Sequence, residues 1–237
     1  MQRIIITGHS RGLGQALTAY YLQHGKAVLG LARHGLPEQH GLSQYLLDLS
    51  DNQALNDAKL HSVLSNFIAP AHEVILINNA ATVVPNALAG KAKASEIAQA
   101  IQVNVTAPLV LSNALMALVT SQQRLKIVHI SSGAGRQVYA GWCVYGASKA
   151  ALDHHARCVA TENHANVQII SLAPGIIDTD MQAEIRAASC EDFPLQSRFQ
   201  ALKEQGQLSA PAVTAKMIAQ YIEAAIFGQT TIADIRD

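Results

Sequence analysis

The sequence predicts an α/β fold: one domain, built on a doubly wound parallel sheet with helices on both faces. Three observations predict it. Short continuous apolar runs such as "RIIIT", "EVILIN" and "KIVHI" alternate with longer stretches of helical period, as expected for strands buried under helices on both sides. A glycine-rich turn, "TGHSRGLG" (7–14), joins the first strand to the first helix. The unusual polar residues fall at strand ends, the carboxyl edge where sheets of this kind bind ligands.

The elements follow in order. "RIIIT" (3–7) is a buried strand. "LGQALTAYYLQHG" (13–25) has apolar spacing near 3.6 and stops at Gly25. "KAVLGLAR" (26–33) is the second strand and "YLLDL" (45–49) a further one. A helix over about 51–68 leads to "EVILIN" (73–78), and a long helix over about 94–119 leads to "RLKIVHISS" (124–132). A helix over about 143–163 precedes "NVQIISLAP" (166–174), which Pro174 closes. A helix near 211–227 and a short strand, "TTIADI" (230–235), complete the chain. Right-handed crossovers between parallel strands then wind the sheet both ways.

Composition narrows the function classes. Hydrophobic residues make up 49% and charged residues 14%, enough to bury a large core. Lys+Arg and Asp+Glu are equal at 17 each, with no run of like charge. That argues against nucleic-acid or anionic-membrane partners. The first apolar run stops at Gly8 and is too short for a leader core, and no run reaches the ~18–20 apolar residues of a membrane span. Cys143, Cys158 and Cys190 lack paired spacing, which suits a reducing, cytoplasmic location. The histidines form no H-E-x-x-H, and His154 and His155 are adjacent, so no metal site is expected.

Gly8, Gly12 and Gly14 allow a tight turn whose helix-start amides face an anion such as a pyrophosphate. A plain strand-to-helix turn has the same composition. Arg11 lies inside the turn, and Arg33 follows the second strand where an acidic residue would accept a ribose hydroxyl. Guanidinium groups there suit a 2′-phosphate, although each is equally a candidate surface arginine. Asp48 either accepts from an adenine amino group or caps a helix together with Ser50. Asn78 and Asn79, in "NNAA", bring small-residue backbone close to a ligand or satisfy turn amides. Ser131 and Ser132 end a strand, and Gly133 and Gly135 follow. Tyr145 and Lys149 stand one helical turn apart and share a face. Asn104 is a polar residue inside an apolar helix. Hydride transfer to a carbonyl needs an acid for the developing alkoxide. A phenol near an ammonium, with a hydroxyl to polarise the oxygen and an asparagine to hold a reprotonating water, meets that need.

On "TGHSRGLG", "NNAA", Asn104, "ISSGAG", "YGASK" and "APGIIDT", the chain resembles the short-chain dehydrogenases/reductases over nearly its full length. "GWCVY" and "EDFPLQSRFQALKEQGQL" are similar to its sepiapterin-reductase-like group, which includes benzil reductases. The resemblance implies a Rossmann-like fold and a single NADP(H)-binding domain over 1–237, with a substrate loop over about 176–210. It implies a catalytic tetrad of Asn104, Ser132, Tyr145 and Lys149, Ser132 being the serine thirteen residues before the tyrosine. It places the cofactor on Gly8, Ser10, Arg11, Gly12, Leu13, Gly14, Arg33, Asp48, Asn79, Ala80, Tyr145, Lys149, Pro174, Gly175, Ile177 and Thr179. His9 and Ala81 depart from the family, which more often has alanine and glycine there; His9 reads as a loop residue. Pairing through the two long helices implies a homodimer or homotetramer.

The expected activity is NADPH-dependent reduction of a small ketone or 1,2-diketone. The alternatives are a carrier-protein-linked ketoacyl reductase and a non-catalytic NADP sensor. Ile176, Ile177, Met181, Phe193, Leu195, Phe199, Tyr139 and Trp142 are expected to make an apolar pocket. Trp142 is equally a core candidate, and Cys143 reads as a small wall residue. The loop carries Arg186, Arg198 and Lys203 against Asp178, Asp180, Glu184, Glu191, Asp192 and Glu204, which disfavours phosphorylated or carboxylated substrates. Residues 198–208 read as a lid over the substrate or as an amphipathic helix ending at Gly206, and both can hold at once.

Overall fold

The computed structural model describes residues 1–237. The amino-terminal half runs β1 (Gln2–Thr7), α1 (Gly12–Gln23), β2 (Ala27–Ala32), β3 (Leu42–Leu46), α2 (Asn52–Leu55), α3 (Ala58–Ile68) and β4 (Glu73–Asn78). There follow α4 (Ala94–Ile101), α5 (Ala107–Leu118), β5 (Arg124–Ile130), α6 (Cys143–Thr161) and β6 (Val167–Ala173). The chain closes with α7 (Asp180–Ala187), α8 (Gln196–Glu204), α9 (Pro211–Glu223) and β7 (Ile232–Asp234).

The seven strands form one parallel sheet in the order β3-β2-β1-β4-β5-β6-β7. The chain winds outward from β1 to β3, then restarts on the other side at β4. That reversal opens a crevice at the carboxyl ends of β1 and β4. Successive side chains of β1 explain the two layers. Ile5 joins the core under α3, α5 and α6, while Ile4 and Ile6 join the core under α1 and α9. All three are 0% exposed, and each such burial stabilises the fold by about 1.5–3 kcal/mol.

Four elements differ from the expected ones. The helix expected over 51–68 is two, because Asp51 accepts from the amides of Gln53 and Ala54, and Asp57 from that of Lys59. Each aspartate starts its own helix. The strand expected at 45–49 pairs instead from Leu42 to Leu46, in register with Val28 to Ala32. It is the sheet edge and half-exposed, while Leu47 and Leu49 dive into the core just beyond it. The long helix carries a single π turn over Gln102–Thr106. With that turn included, Ala94–Leu118 is long and apolar enough, at a mean hydropathy of 1.4, to pass as a membrane span. The sequence reading found no such run. In the fold it is a sheet-covering helix whose Leu111 and Leu115 pack into the core. Finally, α7 and α8 occupy the region read as a loop.

Candidate active site

The site begins with a turn made by hydrogen bonds. The Thr7 hydroxyl accepts from the amides of Asn79 and Ala80, both at 3.0 Å. Asn79 Nδ2 donates back to the Thr7 carbonyl at 2.9 Å. Asn79 therefore joins β1 to β4 across the switch point through its backbone amide and its Nδ2. Gly8 and Gly12 hold φ of +67° and +54°. At Gly14 a Cβ would lie 2.1 Å from the Gly8 carbonyl oxygen, so only glycine fits. No side chain caps α1, which leaves its first amides to face the crevice. Ser10 and Leu13 sit in this turn, and Gly12 rests against the Thr179 methyl.

His9 is a loop residue, as expected, between β1 and α1, but its side chain is buried. Its ring is 0% exposed, with Nε2 2.8 Å from Gln44 Oε1. It fits because residue 30 is glycine, where a Cβ would lie 2.3 Å from the ring. Arg11 and Arg33 are exposed. Arg11 reaches Asp180 at 3.7 Å. Asp48 caps nothing: its Oδ1 accepts from the amide and hydroxyl of Ser50, at 2.9 and 2.7 Å. Those bonds lower its carboxyl below the usual range, helped by nearby Arg33. Pro174 and Gly175 follow β6, and Ile177 bridges to Ser209.

β5 and α6 bring the candidate catalytic groups together. Strand alternation separates the two serines. Ser131 turns under α6, its hydroxyl donating to Asp153 at 2.7 Å. Ser132 faces the crevice and accepts from the Ala134 amide at 3.1 Å. Tyr145 is 8% and Lys149 2% exposed. Lys149 Nζ donates to the Ile130 carbonyl at 2.8 Å and lies 5.6 Å from the centre of the Tyr145 ring.

Burial dominates the electrostatics of both groups. Burial pushes Tyr145 up, with the Ser132 hydroxyl pulling it part of the way back. Burial pushes Lys149 down to about 8, opposed by Asp153. Asn104 is fully buried, within the π turn. Its amide exchanges two 2.8 Å bonds with the Thr82 main chain and donates to Ser148 at 3.1 Å. It braces the loop after β4 against α6, and no side-chain donor is left to hold a water.

The expected apolar pocket is mostly a packed wall. Trp142 stacks on Phe193 at 4.8 Å, and meets Phe199 and Tyr145 at 5.3 Å and Tyr139 at 5.7 Å. Its indole N–H donates to Asn86 at 2.7 Å. Phe193, Phe199 and Trp142 bury one another, with Met181 and Leu195 packed at the margin. Ile177 belongs instead to the core under α1 and α9. Within 198–208, residues up to Glu204 belong to α8, with Gly206 at φ +65° just beyond it. Cys143 is exposed.

Two buried clusters escaped the sequence reading. His129 Nε2 lies 3.0 Å from His155 Nδ1, and burial pushes His129 down to about 3. Asp153 is bound by Ser131, Ser171 and Arg136. Its position one turn after Lys149 was the available signal. A polar cavity of about 600 Å³ between Lys26, Glu73, Arg124 and Lys126 lies at the opposite, amino edge of the sheet. It is remote from these groups.

A family model for short chain dehydrogenases matches residues 2–189. The chain is 34% identical to benzil reductase ((S)-benzoin forming) of Bacillus cereus, covering 99% of each protein. It is 36% identical to the benzil reductase ((S)-benzoin forming) of Bacillus subtilis, covering 94% of each. A crystal structure of a short-chain dehydrogenase/reductase from Burkholderia vietnamiensis superposes with a TM-score of 0.71 at 35% identity, over 100% of this chain and 97% of that one.

Proposed function

Because the chain belongs to the short chain dehydrogenase family, we propose that this oxidoreductase uses NADPH to reduce small, uncharged ketones and 1,2-diketones of the benzil type. The observation that carries the reading is the convergence of Ser132, Tyr145 and Lys149 beside an aromatic wall, at the edge where the glycine turn opens. The turn fits a dinucleotide: its amides are uncapped, and at Gly14 the backbone leaves no room for a side chain. The first turn of α1 would hold the pyrophosphate, and Arg11 and Arg33 a 2′-phosphate.

When bound, the cofactor supplies the hydride. The chain's own residues handle the proton. Ser132 donates to the carbonyl oxygen and polarises it, and Tyr145 then protonates that oxygen. Burial favours the protonated phenol, which is the form a donor needs. The Lys149 ammonium near the ring favours the phenolate left behind. Asn104 supports both groups by fixing the Thr82 loop to Ser148. The two benzil reductase relatives and the aromatic wall around Trp142 support an aromatic diketone. The acidic surplus over 176–210 disfavours phosphorylated or carboxylated substrates, whose negative charge would be buried without a partner. Self-association as a homodimer or homotetramer through α4–α5 and α6 is part of the same reading and rests on the family resemblance. Three exposed free cysteines support a reducing cytoplasm.

Steady-state NADPH oxidation tests the substrate. Benzil and 1-phenyl-1,2-propanedione are expected to give higher kcat/KM than an acidic ketoester or a carrier-linked ketone; the reverse order rejects the assignment. Arg33→Ala tests the cofactor. Charge-assisted bonds contribute about 1.5–3 kcal/mol, so NADPH should bind about 10- to 100-fold more weakly while NADH is little changed. Equal efficiency with both cofactors in the unmutated protein would remove the basis for NADP selection.

A further inference from the structure

Asp153 is a buried carboxylate that the chemistry above does not use. It is 2% exposed and stands four residues after Lys149 on α6, so both face β5. Its Oδ1 accepts from the hydroxyls of Ser131 and Ser171, at 2.7 and 2.6 Å, and its Oδ2 from Arg136 Nε at 3.0 Å. Arg136 in turn donates to the carbonyls of Ser171 and Ala233, at 3.3 and 3.1 Å. One carboxylate thus gathers the ends of β5, β6 and β7. A buried carboxylate with this many ordered donors is held in one position.

The cluster is continuous with the candidate catalytic groups. Ser131 is the residue before Ser132. The Ile130 carbonyl, one residue earlier still, is the acceptor for Lys149 Nζ. Gly135 meets the Lys149 and Ala150 backbone so closely that a Cβ would lie 2.9 Å from it. The segment 130–136, which carries Ser132, is therefore fastened to the helix that carries Tyr145 and Lys149. Three of its fastenings, Ser131, Arg136 and the Lys149 ammonium itself, answer to the Asp153 charge.

We propose that Asp153 is a positioning residue, which sets the loop carrying Ser132 against α6 and keeps Lys149 an ammonium in its buried site. The proposal rests on the reductase reading for its effect on turnover, but its electrostatic half concerns Lys149 alone. The charged and titratable groups facing Lys149 are Tyr145 and Asp153 on α6 and His129 on β5. Arg136 in the following loop and His155 lie behind them. His129 is neutral above pH about 3, so it does not titrate where Lys149 does. The Asp153 carboxylate opposes the burial that pushes Lys149 down.

The sign follows. Lys149 carries its charge below its own pKa and loses it above, so kcat/KM falls as pH rises through about 8. Asp153→Asn keeps the shape and removes the charge, and should move that alkaline limb to lower pH by about one unit. It should lower kcat about tenfold at neutral pH, at little change in NADPH affinity. Arg136→Gln removes a like charge and should move the limb to higher pH. The test is the pH profile of both variants, together with a 13Cε-lysine NMR titration in which Lys149→Met assigns the Lys149 signal. Opposite displacements of the Lys149 midpoint in the two variants support the proposal. A Lys149 midpoint unmoved in both, or moved the same way, overturns it, even if stability falls. If no carbonyl compound is turned over, the reductase reading fails, while the Lys149 titration still decides the role of Asp153.

Discussion

Tyr145→Phe is expected to abolish nearly all turnover while leaving NADPH binding intact. The substitution removes one oxygen. The ring keeps its edge contact with Trp142 at 5.3 Å and its place in the aromatic cluster, so packing stays. What disappears is the proton donor, together with its interaction with Ser132. General acid catalysis is worth about 10²–10⁴ in rate, or about 3–5 kcal/mol at the transition state. Stopped-flow or steady-state NADPH oxidation measures the rate, and quenching of Trp142 fluorescence follows cofactor binding. Near-normal turnover in Tyr145→Phe would show that the proton comes from elsewhere. Lys149→Ala should differ in kind, losing both rate and affinity.

Gly14→Ala is expected to damage the fold as well as the site. The new methyl would sit 2.1 Å from the Gly8 oxygen, 2.8 Å from the Gly8 carbonyl carbon and 2.6 Å from Asn79 Nδ2. Two of those atoms are backbone. They cannot retreat freely, because the Gly8 amide donates to Leu31 at 2.8 Å and Asn79 is tied to Thr7. Overpacking of this kind costs about 1–3 kcal/mol, and more where backbone must move. For a chain of this size each kcal/mol lowers Tm by about 2–4 °C, so calorimetry should show a fall of about 6 °C or more. Cofactor titration should show no saturation. Gly133→Ala is the control for stability, since a Cβ there meets nothing within 4 Å. An unchanged melt for Gly14→Ala would mean that the turn is looser than its packing implies.

What could be read from sequence depended on whether the signal was local. β1, β4, β5 and β6 are buried on both faces, so each reads as a continuous apolar run with its boundary nearly correct. β3 does not, because an edge strand needs only one buried face, and the leucines that suggested a strand at 45–49 belong to the turn into the core. The glycine turn and the Tyr145–Lys149 spacing are local patterns and were legible. The break between α2 and α3 was also legible, in Asp51 and Asp57 as caps, but the apolar period masked it. The π turn around Asn104 leaves no compositional mark. The fates of His9, Asn79 and Asp153 depend on partners tens of residues away, such as Gly30, Thr7 and Ser171. No window of sequence contains both halves of those contacts.

The three apolar cores are unequal, and this gives the molecule two rigidities. Two clusters of 20 and 19 buried residues clamp the sheet, while the aromatic cluster holds only 7 and lies outside both. Its members come mainly from the loop before α6 and from α7, α8 and their connection. Opening that region exposes one small cluster and leaves the sheet layers closed, so it is the cheaper excursion. Amide hydrogens over 180–205 therefore exchange through subglobal opening, ahead of those in β1, β4 and β5. Sequence drift among the other members of that small cluster can retune what the crevice admits while the glycine turn, Tyr145 and Lys149 keep their places.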